Sequence, residues 1–161
     1  MAATAVMAAA GPDTPRMATT TPAANEAALR EAFLPVRDPH ERLALITDAC
    51  AGRGLPAGSR HESDLVLGCV SKVWLCSAVV DGVIHLSWDA ASPLVRGLAG
   101  LICQVYQNTA AAEIPTHRAT LLTELGLDRQ LSPTRLRGLA AVEGRIHQLA
   151  GSVTWKAARV F

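Results

Sequence analysis

The stretch KVWLCSAVVDGVIHLSWD, residues 72–89, decides the fold of this chain. Its two halves, Lys72–Val80 and Val83–Asp89, are rich in β-branched and aromatic residues, and they flank Asp81-Gly82, a dipeptide that favours a two-residue hairpin turn. The second half alternates apolar and polar side chains. Such alternation is typical of an antiparallel sheet that buries one face and leaves the other in water. The stretch therefore predicts a β-hairpin.

Most of the remaining chain has helical patterns. Ser92-Pro93 and Ser132-Pro133 each combine a capping serine with a proline suited to the first helical turn, and Asp38-Pro39 does the same nearer the N-terminus. We expect Asn25 to cap a further helix and Asp64–Leu67 to add a short strand. Strands followed by helices, without β-α-β alternation, predict an α+β fold with a small antiparallel sheet of about three strands packed against helices.

Composition divides the 161 residues into two parts. Residues 1–24 are mostly Ala, Thr, Pro and Met, which cannot bury enough surface to offset their ordering entropy, so we expect a disordered tail. Its single basic residue, Arg16, favours a plain tail over an organelle transit peptide, since transit peptides are rich in arginine. Residues 25–161 then form one domain.

The overall charge and hydropathy exclude some kinds of partner. Lys and Arg number 15 against 14 for Asp and Glu, a balance unlike that of a nucleic-acid-coating protein. No apolar run approaches the roughly 20 residues that span a bilayer. Because the N-terminus also lacks a secretory signal, we expect a cytoplasmic protein with reduced thiols and neither nucleic acid nor membrane as partner.

The four cysteines, at positions 50, 69, 76 and 103, include no CxxC pair. Apolar neighbours predict that Cys50, Cys76 and Cys103 belong to the core. Cys69 differs, because Gly68 before it allows a backbone turn that would put the thiol at a loop tip. Lys72 could stabilise a thiolate there. Apolar side chains of Leu67, Val70 and Trp74, if they cover the thiol, would instead disfavour its ionisation. Spacing alone leaves open both a reactive and an inert thiol.

Three separated motifs resemble one known family. Gly68-Cys69-x-Ser71-x-Val73-Trp74 is similar to the signature of the SufE family of sulfur-acceptor proteins, and Arg60 stands nine positions before the cysteine, as in that family. Asp89 followed by Val95-Arg96-Gly97-Leu98 resembles its acidic turn and helix start. Leu131–Leu139 resembles its C-terminal segment, with Arg135 at the position of a recurrent arginine. The likeness runs from about residue 29 to residue 150.

This resemblance implies both a fold and an activity. SufE-like proteins are α+β sandwiches similar to iron–sulfur scaffold proteins, with the motif cysteine between the first two strands. They take persulfide sulfur from a cysteine desulfurase (SufS- or CsdA-like), stimulate that enzyme, and deliver sulfur to an iron–sulfur scaffold complex. Pyridoxal phosphate belongs to the desulfurase, so the resemblance implies no cofactor and no metal on this chain.

The resemblance makes Cys69 the sulfur-carrying residue, with Gly68, Ser71, Lys72 and Trp74 around it in the loop. Arg60 and Arg135 are candidates for supporting the loop or docking the partner; ordinary surface solvation is the other interpretation of both. Val70 and Lys72 stand where the family usually has glutamine, and Glu124-Leu125-Gly126-Leu127 is closer to the CsdE branch.

A different class of function is a scaffold that binds a metal or an iron–sulfur cluster. Cluster ligation takes three or four Cys or His ligands. That alternative would need Cys69 and further thiols such as Cys103 to converge on one site.

Overall fold

The computed structural model of the chain describes residues 19–56 and 58–159, with side chains as far as residue 152. In chain order the elements are α1 (Pro22–Phe33), α2 (Pro39–Ala49), β1 (Val73–Val80), β2 (Val83–Ala90), α3 (Pro93–Tyr106), α4 (Leu121–Glu124), α5 (Leu127–Gln130) and α6 (Pro133–Arg159). Short 3₁₀ turns cover Glu62–Asp64 and Ala111–Thr116. The predicted α+β class is confirmed.

The hairpin forms where the sequence predicts it. Strands β1 and β2 pair antiparallel from Val73 opposite Ala90 to Val80 opposite Val83. Asp81 and Gly82 both have positive φ, 52° and 79°, the left-handed geometry of the two-residue turn that matches the twist of the strands. The apolar side of the hairpin is buried and contacts α3.

The expected third strand, Asp64–Leu67, is wrong. The chain there makes the 3₁₀ turn Glu62–Asp64 and then a single bridge, Leu65 to Trp74, with the Val66 amide donating to the Val73 carbonyl at 2.8 Å. Pairing stops because Gly68, with φ +96°, turns the backbone away into the cysteine loop. In the described residues the sheet has two strands.

Helix α3 is the central packing element. It begins as predicted, since Ser92 Oγ accepts from the Val95 amide at 3.5 Å and Pro93 occupies the first turn. Its middle is buried, and α2 approaches it so closely that a Cβ at Gly100 would lie 1.7 Å from the Cys50 carbonyl oxygen. Glycine at position 100 therefore permits the α2–α3 contact, and α3 is held between α2 and the hairpin.

The structure moves the boundary of the predicted N-terminal tail. Helix α1 begins at Pro22, with Thr21 Oγ1 accepting from the Ala24 amide at 3.1 Å, so Asn25 is not the cap. The side-chain amide of Asn25 instead donates to the carbonyls of Val105 and Gln107, both at 3.0 Å. These contacts tie the N-terminal helix to the end of α3. The predicted tail residues 1–18 lie outside the described residues.

The outer edge of β2 is hydrogen-bonded by the segment that follows α3. The Ile84 amide donates to the Thr109 carbonyl, and the Asn108 amide donates to the Ile84 carbonyl. The side chain of Gln107 then takes the place of a peptide group: its Oε1 accepts from the Leu86 amide at 2.7 Å, and its Nε2 donates to the Leu86 carbonyl at 2.9 Å. Together these bonds occupy the edge from Ile84 to Leu86.

A buried polar network joins α1, α3 and α6. The Glu26 carboxylate accepts from the amides of residues 120 and 121 at 2.7 and 3.0 Å and lies 3.1 Å from His117 Nε2. The Tyr106 hydroxyl lies 3.0 Å from Glu143 Oε1 and 3.3 Å from His147 Nε2. Burial, then Glu143, raises the pKa of Tyr106, so its hydroxyl stays protonated and can donate. The network fixes the segment before α4 against two helices.

Of the helices that the structure describes, not one has the length and apolar character needed to cross a membrane.

Candidate functional site

The cysteine loop lies against the start of α6. Gly68, just before Cys69, adopts a backbone conformation that favours glycine, and a Cβ there would lie 3.5 Å from the Cβ of Ala141. Helix α6 begins as predicted, with Ser132 Oγ accepting from the Arg135 amide at 3.2 Å and Pro133 in the first turn. The turn at Gly68 therefore lies against α6 near Ala141.

The Cys69 thiol points towards this helix. Its Sγ donates to the carbonyl oxygen of Gly138 at 3.3 Å, and a Cβ at Gly138 would lie 3.6 Å from the sulfur. The residue is half-buried, and burial raises the pKa of the Cys69 thiol above its usual value. Because the thiolate is the nucleophilic form of cysteine, the resting geometry keeps this residue in its less reactive state.

A small cavity of about 170 Å³ adjoins the thiol. Its wall is mainly apolar, with the polar groups of a few serine, threonine and arginine residues at one side. It is lined by Cys69, Val70, Ser71, Val73, Val95, Leu98, Ser132, Thr134, Arg135, Gly138, Leu139 and Val142. Of the residues that the sequence singled out, the structure therefore brings Cys69, Ser71 and Arg135 to one cavity.

Arg60 lies in a different environment, against Asp89 and Trp74. Its Nη2 is 2.6 Å and its Nε 2.8 Å from Asp89 Oδ2, and its guanidinium carbon lies 4.7 Å from the centroid of the Trp74 ring. Asp89 is only 1% exposed and also pairs with Arg96 at 3.6 Å. Arg60 thus braces the end of the hairpin from which the cysteine loop enters β1.

Electrostatics explains why a carboxylate is stable at this buried position. Burial alone would raise the pKa of Asp89, but hydrogen bonds from Arg60 and from the backbone amides of Ala90 and Leu55 outweigh it, so its pKa is lowered. The charged form is therefore the stable one. Asp89 holds Arg60 and the glycine-rich loop before it to the second strand.

Lys72 faces solvent. Its side chain is exposed, while its backbone carbonyl accepts from the Ala91 amide at 2.9 Å and so closes the base of the hairpin. The predicted site residues thus separate into a cavity group (Cys69, Ser71, Arg135), a brace (Arg60, Trp74), the turn at Gly68 and an exposed lysine.

Sequence reasoning missed two partners that the structure supplies. The Gly138 carbonyl is a backbone group, and no residue type marks it as an acceptor for a thiol. Asp89 was noted as part of a turn, but its partner Arg60 lies 29 positions away. Only the presence of an acid at the end of a strand that otherwise alternates could have indicated a buried ion pair.

Two of the other three cysteines lie in the core. Cys50 and Cys103 are buried, which confirms the prediction for them, and burial raises the pKa of Cys50 to about 12. Cys76, in contrast, is half-buried on β1 and faces the side opposite the buried Val73 and Leu75, so the prediction that it belongs to the core is wrong. Burial, with a hydrogen bond to Asp64, raises the pKa of Cys76 to about 11. All four thiols are free. In residues 19–56 and 58–152, no three Cys, His, Asp or Glu side chains are grouped so that they could hold a metal ion.

The hairpin, the helical layer and the loop thiol define a small α+β protein that stores one cysteine beneath a loop next to an apolar cavity. The SufE family model, described as an Fe-S metabolism associated domain, matches residues 27–150. The chain belongs to the SufE family.

Individual proteins agree with this assignment. The chain is 31% identical over 126 residues to the sulfur acceptor protein CsdE of Escherichia coli strain K12, covering 73% of this chain and 82% of CsdE. It is 29% identical over 107 residues to an uncharacterised SufE-like protein of Rhizobium etli, covering 62% and 72%. The solution structure of a hypothetical protein from Thermus thermophilus has the same fold, with a TM-score of 0.65, 21% identity, and coverage of 80% of this chain and 94% of that one.

Proposed function

We propose that this protein is a sulfur acceptor that carries persulfide sulfur on Cys69. The observation that carries the proposal is the placement of Cys69, a free thiol on a glycine-enabled loop beside a cavity, in a chain of the SufE family. The name of its relative CsdE, a sulfur acceptor protein, supports the same role. Cys50 and Cys103 are buried in the core and Cys76 lies within a paired strand, so these three are less able than a loop cysteine to move towards a partner.

The donor is a cysteine desulfurase that uses pyridoxal phosphate and holds sulfur as a cysteine persulfide. The Cys69 thiolate attacks the outer sulfur of that persulfide. A new sulfur–sulfur bond forms on Cys69, the bond to the desulfurase cysteine breaks, and that cysteine leaves as a thiolate. The transferred sulfur keeps its own proton and becomes the outer sulfur of the new Cys69 persulfide, so the reaction is an exchange with no net oxidation.

The resting geometry sets what the partner must do. Cys69 donates to the Gly138 carbonyl, and burial keeps its pKa high, so the free protein holds a thiol directed inward. Docking must draw the loop away from α6 and expose the sulfur to positive charge that favours its ionisation. Arg135, at the wall of the same cavity, is the group on this chain best placed to contribute that charge.

Sulfur leaves the carrier by the same exchange in the forward direction. An iron–sulfur scaffold complex is the acceptor, and removal of sulfur from the desulfurase is the reason that the carrier stimulates it. The chain needs no cofactor for either step, because the thiol is both the acceptor and the leaving group. Reduced cysteines in a cytoplasmic compartment fit this chemistry.

The decisive experiment locates the transferred sulfur. The protein is incubated with desulfurase, cysteine and pyridoxal phosphate and then digested. The masses of the peptides are measured by mass spectrometry. We expect one added sulfur on the Cys69 peptide and none on the Cys50, Cys76 or Cys103 peptides. Cys69→Ser should abolish both the modification and the stimulation, while Cys76→Ser, the matched control, should retain them. Sulfur on another cysteine, or metal that co-purifies with the wild type and is lost with Cys69, would contradict the proposal.

A further inference from the structure

The two most exposed of the large apolar side chains described belong to residues that flank Cys69 in the chain. Leu67 is 88% and Val70 is 83% exposed, whereas the next, Val80, is 56% exposed. Both flank Cys69 within two positions, and Val70 also lies at the mouth of the cavity. The loop thus directs its sulfur inward and its apolar side chains outward.

Within the part of the chain that the structure describes, these two side chains are almost fully exposed and contribute little to packing. A side chain exposed to this extent gains little from packing, so a polar residue would serve equally well at either position. An apolar cluster at a functional loop indicates a surface that becomes buried on a partner. Their place in the chain identifies the partner, because the neighbours of a reacting atom must enter the interface that surrounds it.

Sulfur exchange requires the two sulfurs to approach within roughly 3–3.5 Å. Successive Cα atoms are about 3.8 Å apart, so residues one and two positions from Cys69 stay within roughly 8 Å of its Cα, wherever the loop moves. Any donor that reaches the Cys69 sulfur therefore surrounds Leu67 and Val70 as well. Side chains at the centre of an interface are the ones that lose most water.

On the basis of the function proposed above, we propose that Leu67 and Val70 are the docking anchors of the carrier. They fit an apolar rim around the persulfide of the donor desulfurase, and they select a donor with such a rim over one whose rim is polar or charged. Their burial also offsets the loss of the bond between Cys69 and Gly138 when the loop leaves α6. The two residues determine specificity and take no part in the chemistry.

The test measures desulfurase turnover against carrier concentration for Leu67→Ser, Val70→Ser and the conservative variant Val70→Ile. Val80→Ser and Leu45→Ser, at exposed apolar positions away from the loop, are the matched controls. Full burial of one Leu or Val side chain changes affinity roughly ten- to a hundredfold. We expect each serine variant at 67 or 70 to raise the half-maximal concentration by at least about tenfold without changing the maximal rate, and Val70→Ile to behave as wild type.

The outcomes separate the two proposals. If wild-type protein neither stimulates the desulfurase nor gains sulfur, the proposed function fails and this inference fails with it. If the wild type is active and the serine variants at 67 and 70 match Val80→Ser and Leu45→Ser, the function stands and the docking surface is overturned. A lower maximal rate with an unchanged half-maximal concentration would also overturn it. Thermal unfolding of each variant checks that the fold is intact.

Discussion

The sulfur of Cys69 and the carbonyl oxygen of Gly138 are 3.3 Å apart, although the two residues are 69 positions apart in the chain. Gly138 lies on the face of α6 that meets the loop, and a Cβ there would be in ordinary van der Waals contact with the sulfur at 3.6 Å. A helix interior normally disfavours glycine by about 1 kcal/mol relative to alanine. Glycine at position 138 leaves the side of α6 that faces the thiol without a side chain, so only a residue larger than alanine would compete with the thiol for space.

A large side chain at position 138 should expose the thiol. A Cβ there would touch Cys69 Sγ at 3.6 Å, so Gly138→Leu has no room for the atoms beyond it unless the loop moves. We expect iodoacetamide to label Cys69 at least several-fold faster in this variant than in the wild type. Gly144→Leu is the control on the same helix, where a Cβ would meet no atom within 4 Å. Equal labelling rates in the two variants would contradict the inward placement of the thiol.

Replacing Arg60 should cost stability. Arg60→Ala removes a hydrogen-bonded cation from the buried Asp89, which then keeps the longer contact with Arg96 and the backbone amides of Leu55 and Ala90. We expect the free energy of unfolding, measured by urea at neutral pH, to fall by about 1–3 kcal/mol. Arg53→Ala, in the same loop and exposed, should stay within about 0.5 kcal/mol of the wild type. A loss of sulfur transfer without a loss of stability would mean that Arg60 docks the partner instead.

Arg135 should show the opposite behaviour. Its side chain is exposed at the cavity of Cys69, so Arg135→Ala should change the free energy of unfolding by less than about 0.5 kcal/mol. We expect a several-fold lower rate of persulfide formation on Cys69 at saturating carrier. Arg137→Ala is the matched control, since Arg137 is exposed on the same helix. Equal rates for the two variants would mean that Arg135 is an ordinary solvated surface residue with no role in persulfide formation.

The network around Tyr106 should make stability depend on pH. Burial, then Arg118, lowers the pKa of His147 from its usual 6.5, although Glu143 opposes the shift. The unfolded chain therefore binds a proton at position 147 more readily than the folded one, so this contribution is present above pH 6.5 and is lost as pH falls through the folded value. We expect the wild-type Tm to fall more than that of His147→Gln between about pH 7.5 and 5.5. His85→Gln, at an exposed position, should follow the wild type.

Local signals in the sequence account for most of the fold. Asp81-Gly82, Ser92-Pro93 and Ser132-Pro133 each specify a turn or a helix start by their own backbone preferences, and each forms where predicted. The strand expected at 64–67 failed because strand formation needs continuous pairing, and only Leu65 finds a bridge before the chain turns. The cap at Thr21 was missed because its surroundings have the composition of a tail.

The site was predictable only where a motif identifies it. Cys69 stands out through its neighbours in sequence, whereas its contacts with Gly138 and the cavity come from segments far along the chain. Arg60 and Arg135 could be selected but not distinguished, because a sequence does not state which arginine meets a buried carboxylate. The network of Glu26, Tyr106 and His147 left no signal, since its members lie on three separate helices.

The Gln107 side chain that pairs with Leu86 also limits how the sheet of one molecule can pair with the sheet of another. A sheet of two strands has two rims, and an open rim is a template on which another molecule can extend the ladder. With Gln107 imitating a peptide unit beside Leu86, and with Asn108 and Thr109 bonded to Ile84, the outer rim of β2 is occupied from Ile84 to Leu86 by the same molecule. Between Ile84 and Leu86 a hairpin from another molecule therefore finds the hydrogen-bonding groups of this strand already paired.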